Sequence, residues 1–169
     1  MIFRVPPGTH FSTLRHDTPM TIRTIALTLS APRDGVFNFL ADIENLPKWA
    51  GGYYERLALE RGRWWALTAE GDQVVDVETS AGTGVIDLRS GPLPERMTLM
   101  PIRVVALSLQ RTLVSVTVIE TPEQSAAAFA RRYVIWRTAV EGLLKRFGSG
   151  ELHAVEAEPA AQLAELGLN

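Results

Sequence analysis

Residues 21–29, TIRTIALTL, set Ile22, Thr24, Ala26 and Thr28 against Arg23, Ile25, Leu27 and Leu29, and this alternation predicts a first strand. The period then changes. In SAPRDGVFNFLADIENLPKWAGG (30–52) Ser30 is a candidate N-cap and Pro32 suits a first helical turn, with Val36, Phe37, Leu40 and Ala41 at helical spacing. Asp42 can cap a second, shorter helix that Pro47 limits and Gly51-Gly52 ends, which holds Trp49 at a helix terminus.

From Tyr53 onward short strands alternate with turn residues. The segments are YYERLALE, RWWALTAE, QVVDVETS, TGVIDLRS, RMTLMPIRVVALSL and TLVSVTVIE, with turns expected at Arg61-Gly62, Gly71-Asp72, near Gly82, at Gly91-Pro92 and near Arg111. Such connections join antiparallel neighbours, so the six form a meander. Pro101 removes a ladder donor inside the longest one and predicts a bulge or an edge there. EQSAAAFARRYVIWRTAVEGLLKRFGSG then carries an apolar stripe of Phe129, Tyr133, Trp136, Val140, Leu143 and Phe147 and reads as one long helix, stopped by Gly148 and Gly150. Three segments follow: a leader over 1–19, with Met20 as an alternative start; one domain over 20–148; and a tail over 149–169 whose last 19 residues hold four Glu and neither Lys nor Arg.

Composition narrows the functional classes. A formal net charge of -2, with no long basic run, lacks the footprint that a phosphate backbone requires, so nucleic acid is not expected as a partner. The absence of Cys removes thiolate nucleophiles and thiolate metal sites. His10, His16 and His153 fall in the expected leader and tail, which leaves the domain without a Ser-His or His-metal arrangement; no metal and no cofactor is expected. Pro6, Pro7 and Gly8 interrupt any signal-peptide core and no later run is long enough to span a membrane, so the expected location is cytoplasmic.

The order of one strand, two short helices, a six-stranded meander and a long C-terminal helix, together with the 30–52 segment, resembles the START, birch-pollen-allergen and polyketide cyclase/dehydrase superfamily, also called SRPBCC. The resemblance implies an α+β helix-grip fold: a curved seven-stranded antiparallel sheet, with two short helices and the long helix over its concave face. A narrower resemblance is to a branch carrying Gly-Val-hydrophobic-Asp-His and Pro-x-Arg-Val-Val. Here Gly84-Val85-Ile86-Asp87 is followed by Leu88 rather than His, and Pro101-Ile102-Arg103-Val104-Val105 follows. That branch implies no established substrate.

A sheet gripping a helix often leaves a cavity of about 300–1,000 Å³. Candidate ligand-binding residues are Trp49 and Tyr53 at the Gly51-Gly52 corner, Trp65 on the sheet, Arg103, and Phe129, Tyr133, Trp136 and Val140 on the long helix. The helix aromatics read equally as ordinary core. Trp64 and Trp65 must point to opposite faces, and the outward one suggests a second copy of the chain as a partner. Periodicity does not decide the direction of Arg103. Asp87 is expected roughly opposite Asp76, both of them either in the cavity or solvated outside.

The leading expectation is therefore a protein that binds a hydrophobic or aromatic small molecule, lipid or polyketide-like, between sheet and helix. One alternative is a polyketide cyclase or dehydratase using Arg103, Tyr133 or Asp87. The other is a protein-interaction module without a ligand.

Overall fold

The structure is a computed structural model that describes residues 20–121, 124–148 and 150–154. Its order is β1 (Ile22–Leu29), α1 (Arg33–Ala41), a 3-10 turn (Ile43–Asn45), α2 (Leu46–Trp49), β2 (Tyr54–Glu60), β3 (Arg63–Thr68), β4 (Gly71–Ser80), β5 (Val85–Gly91), a 3-10 turn (Pro94–Arg96), β6 (Thr98–Ser108), β7 (Arg111–Ile119), α3 (Ala126–Phe147) and β8 (Leu152–Ala154). The strands form one antiparallel sheet in the order β2-β3-β4-β5-β6-β7-β1-β8.

Among the described residues the sheet has eight strands rather than the expected seven. The eighth comes from the segment read as a tail: Leu152 and Ala154 pair with Leu27 and Ile25, and the Thr28 N–H donates to the Glu151 carbonyl at 2.9 Å. Three residues held by backbone bonds leave no periodic side-chain signal, which is why the sequence pattern missed them. The expected leader and residues 155–169 lie outside the described residues.

The helix ends differ in detail from expectation. α1 starts after Pro32, which occupies the N-cap position, so Ser30 lies outside the helix. Asp42 caps the following turn as expected, accepting the Glu44 N–H at 3.0 Å. Ser125 caps α3 through the Ala128 N–H at 3.2 Å, and Gly148 ends it at φ 88°. The Gly91-Pro92 turn is instead a longer loop through Met97, containing the second 3-10 turn; a Cβ on Gly91 would run into the Arg96 carbonyl.

Cross-strand pairs share a face, so burial identifies the concave side. It carries Ile25, Leu27 and Leu29 of β1, Val114, Val116 and Val118 of β7, Met100, Ile102 and Val104 of β6, and Ile86 and Leu88 of β5. The buried stripe of α3 lies over β1 and β7, while α1 covers β6 and β7. Trp136 sits at the centre of this layer. Its ring lies 5.7 Å from Trp49, 5.3 Å from Tyr53 and 5.8 Å from Tyr54. The Tyr54 hydroxyl donates to Ser90 Oγ at 2.9 Å, and burial is the main cause that pushes its pKa well up.

Pro101 has a consequence for the sheet. The Val104 N–H donates to Gly84 on the β5 side, so strand alternation turns the nitrogen of Pro101 toward β7. Proline has no N–H to give, and β6–β7 pairing begins only at Ile102↔Val116, although β5–β6 pairing continues to Ser90↔Thr98. Beyond Pro101 the two strands part.

Truncating the central ring should therefore act on the whole core. Trp136→Ala is expected to cost about 3–5 kcal/mol in urea unfolding; a loss below about 1 kcal/mol would show that the ring is not central. The hydroxyls of Tyr53 and Tyr54 both hold their protons more tightly in the folded chain than at the ordinary value of 10.0. Their contribution is thus full below pH 10 and fades as pH rises through it. Unfolding free energy should hold up to about pH 10, fall as pH rises further, and fall less in Tyr54→Phe.

Candidate functional site

The interior between sheet and α3 is filled. Trp49, Tyr53, Phe129, Tyr133, Trp136 and Val140, six of the eight residues expected to line a cavity, are all buried and all belong to the core. The aromatic rings pack on one another, and the pocket beside Tyr54, Met100, Val118 and Trp136 measures only about 20 Å³, room for one water. The Gly51-Gly52 corner is likewise closed: a Cβ on Gly51 would meet the Pro47 carbonyl oxygen at 2.6 Å, and Gly52 faces Ile135 of α3.

The other two expected residues are corrected. Arg103 lies on the outer face, because its neighbours Ile102 and Val104 take the inner one, and it pairs with Asp87 at 2.8 Å. Trp65 pairs with Ala58 and Val74, whereas Trp64 is opposite Val75 and packs on the core, so the inward tryptophan is Trp64. Asp87 is opposite Glu78 rather than Asp76, and Glu78 bonds Arg89 at 3.0 Å; this ladder of charge is partly exposed on the outer face. His153 belongs to β8 and stands 3.7 Å from Glu151.

The opening of interest is at the place where β6 and β7 part. A cleft of about 480 Å³ lies between the β5–β6 loop, Tyr53 at the start of β2, the β3–β4 turn and the first half of α3. Its walls include Gln73, Ser90, Met97, Thr98, Ala128 and Arg132. On one side the Gln73 Nε2 donates to the Tyr53 hydroxyl at 3.3 Å, and that hydroxyl donates to Glu70 at 3.4 Å. Burial first, and the Glu70 charge second, push the Tyr53 pKa up, so this phenol stays protonated at neutral pH.

On the other side Arg132 reaches from α3 across the gap. Its Nη2 donates to the Ile119 carbonyl, at the end of β7, and its guanidinium lies 5.9 Å from the Phe129 ring centre. Its Nε is buried and has no hydrogen-bond partner among the described residues, and the same holds for the Oε1 of Gln124 on the cleft wall. A buried donor on a cation and a buried acceptor, both unpaired, mark a place able to take a polar ligand group. The apolar stripe read from the sequence of α3 did not include this residue. The signal was present, since Arg132 stands three residues after Phe129 and four before Trp136, within the apolar stripe.

A second, open groove of about 580 Å³ lies at the far end of α3, with Phe39, Trp49 and Leu143 in its floor and Lys48, Lys145 and Arg146 at its rim. Arg146 is stacked 3.9 Å from the Phe39 ring centre. Among the described residues no three His, Cys, Asp or Glu gather to hold a metal ion, and no helix is long and apolar enough to cross a membrane.

No protein-family model matches the sequence, and no curated protein matches it significantly. Solved structures do. A START superfamily protein from Mycobacterium smegmatis is 13% identical with a TM-score of 0.55, over 76% of this chain and 96% of that one. The Zhui aromatase/cyclase from Streptomyces sp. R1128 is 19% identical with a TM-score of 0.57, over 76% and 95%. The Aha1 dimer from Colwellia psychrerythraea is 13% identical with a TM-score of 0.58, over 75% and 96%. At these identities the likeness is one of fold, and it matches the architecture already described: the chain has a START-like helix-grip fold.

Proposed function

We propose that the protein binds a small organic anion with an apolar or aromatic body in the cleft between Tyr53, the β5–β6 loop and α3. The observation that carries this reading is Arg132 in the wall of a cleft of ligand size, its guanidinium holding a buried Nε–H with no partner among the described residues. A guanidinium offers a carboxylate, sulfonate or enolate a charge-assisted bond, and Gln124 supplies an acceptor for a hydroxyl beside it. Met97 and Ala128 give apolar wall for the body of the molecule. The fold's likeness to a START superfamily protein and to an aromatase/cyclase supports small-molecule binding as the class of function. Lipid or polyketide-like molecules that carry an acidic group or an enolisable ketone fit this description.

A second reading, a cyclase or dehydratase type of enzyme, is favoured by one observation. The protonated Tyr53 hydroxyl faces the same cleft as Arg132, so a proton donor and an oxyanion stabiliser share one space. Arg103 and Asp87 have no part in it, being on the outer face.

Anilinonaphthalene sulfonate is an aromatic anion of suitable size, and its fluorescence reports binding. It should bind the wild-type protein saturably. Arg132→Met should weaken it roughly tenfold through loss of the charged donor, and Ala128→Trp should abolish it by filling the cleft. Thermal unfolding of each variant separates lost binding from lost folding. Absence of saturable binding, or affinity unchanged in both folded variants, would contradict the reading.

A further inference from the structure

We infer that two copies of this chain join edge to edge through β2, in one register fixed by the chain's own chemistry. β2 ends the sheet, so one row of its backbone groups has no partner strand among the described residues. Which groups form that row follows from the β2–β3 hairpin. Its loop is two residues, Arg61 and Gly62, both at positive φ (51° and 77°), as in a type I′ turn. The residues flanking such a loop, Glu60 and Arg63, form a hydrogen-bonded pair. Alternation then points the N–H and C=O of Glu60 and Ala58 toward β3, and those of Leu57 and Leu59 out over the free edge.

A break in register between Tyr54 and Arg56 limits the regular part of this edge to Arg56-Leu57-Ala58-Leu59-Glu60. This pentapeptide is chemically symmetric about Ala58. When a second copy runs antiparallel with Ala58 facing Ala58, Leu57 of each copy exchanges both backbone bonds with Leu59 of the other. Arg56 then stands opposite Glu60, twice. Side chains match by face as well: Leu57 and Leu59 share the inner face with Ala66 and Trp64, while Arg56, Ala58 and Glu60 share the outer face with Leu67, Trp65 and Arg63. Leu59, otherwise 59% exposed, gains an apolar neighbour, and Arg56 and Glu60, which have no ion-pair partner among the described residues, gain one each.

Sliding one copy by two residues, the smallest shift that keeps the backbone bonds, sets Arg56 or Glu60 opposite Ala58 and loses both ion pairs. The two-fold axis passes through the Ala58 pair, a position with no side chain large enough to obstruct it. The outward Trp65 flanks that position on each side, which gives it a place at the rim of the contact.

Analytical ultracentrifugation over a concentration series tests this. Wild-type protein is expected to show a monomer–dimer equilibrium, which Arg56→Glu or Glu60→Arg alone weakens at least tenfold and the double reversal R56E/E60R restores. The chain has no cysteine, so Ala58→Cys introduces a lone thiol. Facing non-hydrogen-bonded residues lie about 4.5 Å apart between Cα atoms, within disulfide range, so the variant should oxidise to a covalent dimer. Thr79→Cys, away from β2, is the control and should stay monomeric. A monomer at every concentration up to about 1 mM, with Ala58→Cys oxidising no faster than the control, would overturn the proposal. So would a dimer indifferent to all charge reversals.

Discussion

Trp136 is where three separated pieces of chain become one core. It projects from α3 and is touched by Trp49 at the end of α2 and by Tyr53 and Tyr54 at the start of β2. These contacts hold the short helices, the first meander strand and the long helix in one arrangement, and offset or edge-on aromatic packing adds to the area buried. The break after α1 now has a structural account. Asp42 and Pro47 end one helix and start another so that Trp49 meets Trp136 from the side, and the glycines that follow allow the chain to turn tightly into β2. At the other end Phe39 of α1 meets Phe147 of α3 at 5.5 Å and closes the layer there.

One opening of this densely packed grip lies where its sheet is interrupted. Proline at position 101 denies β7 a donor, β6 and β7 diverge past it, and Arg132 enters the gap and bonds the last carbonyl of β7. The result is a part-buried guanidinium in the wall of a solvent-connected cleft, with one donor committed to the backbone and a buried Nε–H left unpaired among the described residues. Burying such a group without a full set of partners is costly, and folded chains retain such costs mainly where the group acts on something else. On the opposite wall the Gln73 amide, with one N–H bonded to Tyr53, keeps a neutral donor beside the Tyr53–Glu70 pair. The cleft thus offers charge on one side, hydrogen bonding on the other and apolar surface between.

The sequence pattern was most informative where period and caps agree. The meander, Asp42, Gly148 and the Arg61-Gly62 turn all appear in the structure as the residues predict. It was least informative where a strand is apolar on both faces. In β6, Ile102 and Val104 face inward while Val105 and Leu107 stay exposed outside, so the direction of Arg103 had no periodic marker. The same ambiguity exchanged Trp64 and Trp65. β8 was invisible because three residues paired by backbone bonds, with only Leu152 packed on the core, are too short to show a period. Cavity volume was invisible for a different reason: it depends on how Trp49, Tyr53, Tyr54 and Trp136 fill space together, and no local pattern encodes that.

We propose that a filled helix-grip domain presents its ligand site in the cleft beyond Pro101, anchored by Arg132. The most direct measurement is a two-dimensional amide NMR titration of the protein with anilinonaphthalene sulfonate. The account predicts progressive shifts confined to Gln73, Ser90, Thr98, Gln124, Ala128 and Arg132, with little change at the Trp136 indole. Shifts centred on Trp49, Lys145 and Arg146, or spread through the core around Trp136, would contradict it.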